Sequence, residues 1–213
     1  MTRLLVALTA AIIVTVASNA SAQTTAPFTV RGFADAGMEA FTASESFGAV
    51  FGASTGPLFG GGLDIVERHG LFAEVRASRF RRTGERVFVF NNERFRLGVP
   101  GTVTITPLEL SVGYHPNGKR GVVPYAGGGV GWHRYTETST FSQPGEDVSE
   151  TFMGYHVLGG GEVRLWRWIA AAGELEWSTV PNSLGQDPDS VSSQFKETDL
   201  GGASFRFKII IGR

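Results

Sequence analysis

Apolar and polar residues alternate along most of this chain with a period of two. In residues 199–212, Phe205, Phe207, Ile209 and Ile211 interleave with Ser204, Arg206 and Lys208. A pleated strand sends those two sets to opposite faces. The same period predicts seven more strands, over 28–41, 58–66, 71–82, 102–115, 122–135, 152–166 and 169–180. On the first, Arg31, Phe33, Asp35 and Glu39 oppose Phe28, Val30, Ala34, Ala36 and Met38. Further along, Asp64 opposes Leu63 and Ile65; Glu74 and Arg76 oppose Val75 and Ala77; Glu109 opposes Leu108 and Leu110. Glu162 and Arg164 oppose Val163 and Leu165, and Glu174 and Glu176 oppose Leu175 and Trp177. The strand over 122–135 is ambiguous in facing, because His133 and Arg134 are adjacent and cannot share a face.

Connections alternate in length. Residues 67–70, 116–121 and the neighbourhood of Arg167 are tight turns, whereas 42–57, 84–101, 136–151 and 181–198 are long. Short turns on one side and long loops on the other are the pattern of an up-and-down meander, with the short turns periplasmic in an outer-membrane protein. An apolar outer face and a polar inner face carrying both signs of charge fit a wall between lipid and lumen. The expectation is therefore all-β: an eight-stranded antiparallel up-and-down transmembrane β-barrel. Aromatics fit two interfacial girdles, Tyr114, Tyr125, Trp166 and Trp168 near the tight turns and Trp132, Tyr135, Phe152 and Trp177 near the long loops.

The chain start agrees. Met1-Thr-Arg3 is followed by an apolar stretch from Leu4 to Ala17 and by the small-residue site Ala20-Ser-Ala22, which predicts a signal peptide over 1–22 and a mature barrel domain over 23–213. No later stretch reaches the roughly 20 apolar residues of a spanning helix. With no cysteine, disulfides and thiolate metal sites are excluded. A formal net charge of −1 without a basic tract gives no reason to expect nucleic acid as a partner. Many of the 29 glycines fall inside the strands, as at Gly60–Gly62, Gly127–Gly129 and Gly159–Gly161, which suggests bends and close backbone approach in a curved, closed sheet.

The facing assignments send Arg31, Asp35, Glu39, Asp64, Glu74, Arg76, Glu109, Glu162, Arg164, Glu174, Glu176, Arg206 and Lys208 into the lumen. Enclosed charges need partners, so this set is expected to be a salt-bridge plug, with proton or small-ion conduction as the other use. An eight-stranded barrel is just wide enough for side chains to fill. Catalysis has thin support. Ser178, His156 and Glu174 are the set adjacent strands could offer a lipid hydrolase, without a nucleophile-elbow motif. His69, His115 and His133 are scattered without metal spacing, so neither metal nor cofactor is expected. In the long connections Phe47, Val50, Phe51, Phe88 and Phe90 are the candidate contact residues for a surface ligand, with packing inside the loops as the alternative.

In Val122-Val-Pro-Tyr-Ala-Gly-Gly-Gly-Val-Gly131 with Trp132, in Gly159-Gly-Gly-Glu-Val163 before a tight turn, and in its Gly-led closing strand, the chain resembles small outer-membrane β-barrel proteins. That group includes the OmpA transmembrane domain and OmpX-like, OmpW-like and opacity-type proteins. The resemblance implies residence in the cell outer membrane, contact with outer-membrane lipids and delivery by the barrel assembly machinery. It also implies a role in membrane integrity, adhesion, resistance to external factors or passage of small hydrophobic molecules. No catalytic residue carries over. One departure is the closing Ile211-Gly-Arg213, where the group commonly ends on an aromatic residue that the assembly machinery reads; Phe205 and Phe207 are the substitutes on the same strand. A soluble periplasmic lipocalin-like binder is the rival fold reading, and it demands the inverse facing, apolar inside and polar outside.

Overall fold

The computed structural model describes residues 28–90, 93–116, 121–139, 148–186 and 190–212. The predicted signal peptide and Arg213 lie outside the described residues. Eight strands follow one another: β1 (Phe28–Phe41), β2 (Thr55–Glu67), β3 (Leu71–Phe90), β4 (Glu93–Tyr114), β5 (Val122–Ser139), β6 (Val148–Arg164), β7 (Ile169–Thr179) and β8 (Gly202–Gly212). Each pairs antiparallel with its sequence neighbour, and β8 returns to β1 from Arg31↔Gly212 to Phe41↔Gly202, which closes the barrel and leaves no edge.

Side-chain parity follows the hydrophobic pattern. Phe59, Leu63, Leu71, Leu108, Leu110, Val112, Tyr155, Leu175, Phe205 and Ile211 stand exposed on the outer wall. Their strand neighbours Asp64, Glu74, Arg76, Glu109, His156, Glu174, Glu176, Arg206 and Lys208 are buried inside. This facing excludes the lipocalin arrangement, which would place the apolar set within.

All four long connections differ from expectation. Residues 84–101 are not a loop: β3 and β4 stay paired from Thr83↔Thr102 to Phe90↔Glu93, interrupted only by a register shift between Glu85 and Val87. The pairing requires backbone alone, so the charges of Glu85, Arg86 and Arg94 that break the apolar alternation do not end the strands. Gly98 within the shift has φ +68°, a left-handed conformation that glycine adopts without steric cost. In residues 42–57 the chain forms helix α1 (Ser44–Phe51), and in 181–198 a single helical turn, α2 (Val191–Gln194). The expected loop over 136–151 is shortened at both ends by β5 and β6, with 140–147 outside the described residues.

Glycines inside the wall make room for inward rings. A Cβ on Gly160 would lie 2.5 Å from the Gly173 carbonyl oxygen and 2.6 Å from the Tyr125 hydroxyl, and one on Gly127 would lie 2.7 Å from the Val112 carbonyl oxygen and 2.9 Å from the Phe72 ring. Real Cβ contacts are not that short, so these positions admit no larger residue while the rings stay in place.

Leu110→Arg tests the facing. The cation would meet hydrocarbon and cost roughly 2–4 kcal/mol near the bilayer midplane. Urea unfolding in lipid vesicles is expected to show that loss, and unchanged stability would mean that the wall faces water.

Candidate functional site

The lumen is layered. At its centre Arg76, on β3, reaches across the barrel: Nη2 donates to Glu74 Oε1 and, at 2.6 Å, to Glu174 Oε1, while Nη1 donates to Glu176 Oε2 at 2.9 Å. Arg206, on β8, donates through Nη2 to Glu176 Oε1 at 2.8 Å and through Nη1 to Ser78 Oγ at 3.2 Å, with Glu109 at 3.5 Å. Lys208 bridges Glu74 Oε2 at 3.0 Å and Glu174 Oε2 at 2.6 Å. It also lies 4.7 Å from the centroid of the Phe33 ring, a cation–π contact. Nearer the short turns a second cluster forms. There the Arg31 guanidinium grips Asp64 at 2.8–2.9 Å and Glu162 at 2.8–2.9 Å, and His115 lies 3.1 Å from Glu162.

Twelve of the thirteen charges assigned to the lumen are buried there. Arg164 is the correction: it has the inward parity of Glu162 but is the last residue of β6, where the wall ends and the side chain is exposed. Two carboxylates stay outside the clusters. Asp35 has both oxygens buried without a hydrogen-bond partner among the described residues, in the field of Arg76, Arg206 and Lys208. Glu39 lines a small void with His133, Ser178 and Arg206.

Several lumen residues escape the sequence reading. Tyr125, assigned to a girdle, points inward and donates to Glu174 Oε2 at 3.0 Å. Tyr135 and Phe152, also assigned to a girdle, pack against an inner apolar cluster. His133 is buried opposite the exposed Trp132. Trp132 alone could have revealed the facing of β5, because a tryptophan at the edge of the apolar wall belongs outside and an odd spacing then turns Tyr125, His133 and Tyr135 inward. The hydrolase set is not assembled. His156 Nε2 lies 2.7 Å from Ser111 Oγ, Ser178 Oγ lies 3.5 Å from the Gly202 carbonyl, and Glu174 is held by Arg76, Lys208 and Tyr125.

Above the charges an apolar plug fills the loop end: Phe41, Phe47, Leu58, Phe80, Val103, Ile105, Val180 and Leu200. Phe47 is a second correction, since it is not a surface contact. Helix α1 drops it into the mouth, where it stacks on Phe41 at 4.1 Å between centroids. The N-cap residue Ala43 makes no side-chain cap. Glu197, from the connection between β7 and β8, supplies one by accepting from the backbone N–H groups of Glu45 at 3.0 Å and Ser46 at 2.8 Å. Arg94 on the β3–β4 hairpin then clips the assembly together, pairing with Glu45 at 2.5 Å and covering the Phe195 ring at 5.2 Å.

Between α1, the hairpin and the β7–β8 connection lies a cavity of about 630 Å³. Its apolar wall includes Val50, Phe51, Phe88 and Leu97, and its polar lining includes Glu85, Arg86, Glu137 and Glu150. Val50 and Phe51 are half-buried there and Phe88 is 51 % exposed, while Phe90 is described by its backbone alone as the end of β3. Inside the barrel the voids are far smaller, about 20 Å³ beside Glu39 and about 10 Å³ beside Arg31, each with room for about one water.

The sequence matches no family model and no curated protein. Among solved structures, a major outer membrane protein from Thermus thermophilus aligns with a TM-score of 0.61 at 10 % identity, over 87 % of this chain and 99 % of that one. Its fold has the same closed meander. This chain has the fold of a small eight-stranded outer-membrane β-barrel. Neisserial surface protein A (NspA) gives a TM-score of 0.51 at 12 % identity, over 87 % of this chain and 97 % of its own. At such identities the likeness is one of architecture.

Arg76→Met tests the central cluster. It leaves Glu74, Glu174 and Glu176 without the cation that joins them and is expected to cost about 3–5 kcal/mol. Unfolding of the folded barrel in detergent should show it as a larger loss than any single substitution in residues 181–198, and a neutral result would mean that the cluster is solvated.

Proposed function

We propose that this protein is a non-enzymatic, integral outer-membrane barrel with a closed lumen, whose loop-built mouth binds small amphipathic molecules at the cell surface. In this reading outer-membrane lipids surround the wall, and the barrel assembly machinery inserts it. The observation that carries the reading is the contrast in space: about 630 Å³ at the mouth against about 20 Å³ in the lumen. A cleft of that size lies in the range of small-molecule sites. Its aromatic and aliphatic wall suits an apolar body, and Glu85, Glu137 and Glu150 against the single Arg86 favour a neutral or cationic head over an anionic one. Passage along the barrel axis finds no support, because the Arg76 and Arg206 layer and the Phe47 plug both stand across it.

Two measurements test this. In planar bilayers the purified barrel is expected to give no steady porin-like conductance, and a stable open channel would overturn the closed lumen. Equilibrium dialysis of barrels in lipid nanodiscs is expected to retain decyltrimethylammonium above empty nanodiscs and above decanesulfonate. Phe88→Asp with Phe51→Asp should lower that retention by about tenfold or more while folding is kept. Equal retention by wild type and variant would remove the cleft from the reading.

A further inference from the structure

The outer wall changes character abruptly on three adjacent strands. On β3 the outward row runs Leu71, Ala73, Val75, Ala77 and then Arg79 and Arg81. On β4 it runs Tyr114, Val112, Leu110, Leu108 and then Thr106 and Thr104. On β5 it passes from Val130 and Trp132 to Arg134. Register sets these changes side by side: Arg79 pairs with Phe59 of β2, Arg81 with Thr104, and Thr106 with Arg134. All three arginines are exposed. Among the described residues no carboxylate pairs with any of them, although Arg31, Arg76 and Arg206 of the lumen and Arg94 and Arg96 of the hairpin are paired; the hydrogen bond of Arg134 goes to Ser149 Oγ at 3.3 Å.

Height decides what they meet. Arg79 is eight residues beyond Leu71, which marks the short-turn edge of the wall. At about 3.3 Å per residue and a tilt near 40°, that is roughly 20 Å along the axis, close to the far edge of an apolar band about 25 Å tall. Deeper, a cation would be costly, and higher it would be in water. Here the side chains reach into the headgroup layer of the outer leaflet. Strands β3 and β5 flank β4 at about 4.8 Å each, so guanidinium groups from both can converge over the Thr104 and Thr106 hydroxyls. Arginine forks matched with hydroxyl donors are suited to phosphate oxygens.

We propose that Arg79, Arg81, Arg134, Thr104 and Thr106 form a binding site for the phosphate groups of an outer-leaflet glycolipid, whose acyl chains lie on the wall beside Leu108, Val130 and Trp132. The site commits to a lipid over free phosphate because it is continuous with the apolar band. It rests on the reading of that band as membrane-embedded, which membrane fractionation tests separately.

The test is native mass spectrometry of the folded barrel offered lipid A, the same lipid with its phosphates removed, and inorganic phosphate. Wild type and the short-turn control Arg167→Gln are expected to retain lipid A over the phosphate-free lipid by about tenfold or more. The combined variant Arg79→Gln, Arg81→Gln, Arg134→Gln is expected to lose that preference while still entering membranes and keeping heat-modifiable migration. Should the combined variant not fold, Arg134→Gln with Thr106→Val carries the same expectation. Equal retention of the two lipids by wild type, unchanged preference in the variants, or displacement of lipid A by micromolar inorganic phosphate would overturn the site.

Discussion

Charge enclosed in a lipid-surrounded barrel is the constraint on which this structure depends. Four buried cations, Arg31, Arg76, Arg206 and Lys208, face eight buried carboxylates. Leaving an ionised group unpaired is costly in such surroundings, and six of the eight carboxylates have a cation within reach, Asp35 and Glu39 standing apart. The geometry answers with forked contacts, in which each guanidinium serves at least two carboxylates and Glu74, Glu174 and Glu176 each receive two cations. Aromatic faces add to this, with Phe33 lying beside both Lys208 and Arg76. The glycines beside Tyr125 and Phe72 fit the same crowding, because inward rings and the backbone of the neighbouring strand leave no room there for a side chain.

The loop end obeys a different rule. There the wall need not exclude lipid, and the chain uses its apolar residues to close the mouth. Helix α1 is too short to persist alone. It is held by Phe47 in the plug, by Glu197 at its N-terminus and by Arg94 through Glu45. Together these contacts tie the β1–β2, β3–β4 and β7–β8 connections into one tertiary unit, and the large cavity lies between the same three segments.

Strand number and order, and the facing of every strand but β5, are legible in the sequence because a period of two is imposed by lipid on one side and charge on the other. Residue type misleads where it is set above parity. Tyr125 suits a girdle as an aromatic, yet its spacing from Trp132 is odd, and the closed sheet obeys the spacing. The hairpin escapes for a related reason: above the membrane nothing enforces alternation, so paired backbone continues under a polar sequence. Arg164 shows the opposite limit, since parity sets direction but not whether the wall extends far enough to bury the side chain. Glu197 is beyond reach of pattern altogether, because its contacts to Glu45 and Ser46 join segments about 150 residues apart and leave no local trace, and the inward turn of Phe47 onto Phe41 depends on the helix that those contacts cap.

The cross-barrel pairing has a consequence for closure. Arg31 on β1 binds Glu162 on β6, Arg76 on β3 binds Glu174 and Glu176 on β7, and Arg206 on β8 binds Ser78 on β3. These contacts join strands that are not neighbours in the sheet, so they need its curvature, whereas Arg31–Asp64 and Arg76–Glu74 lie within a hairpin or a single strand. Bringing β1 and β8 together therefore also brings the charges of opposite walls within reach of one another.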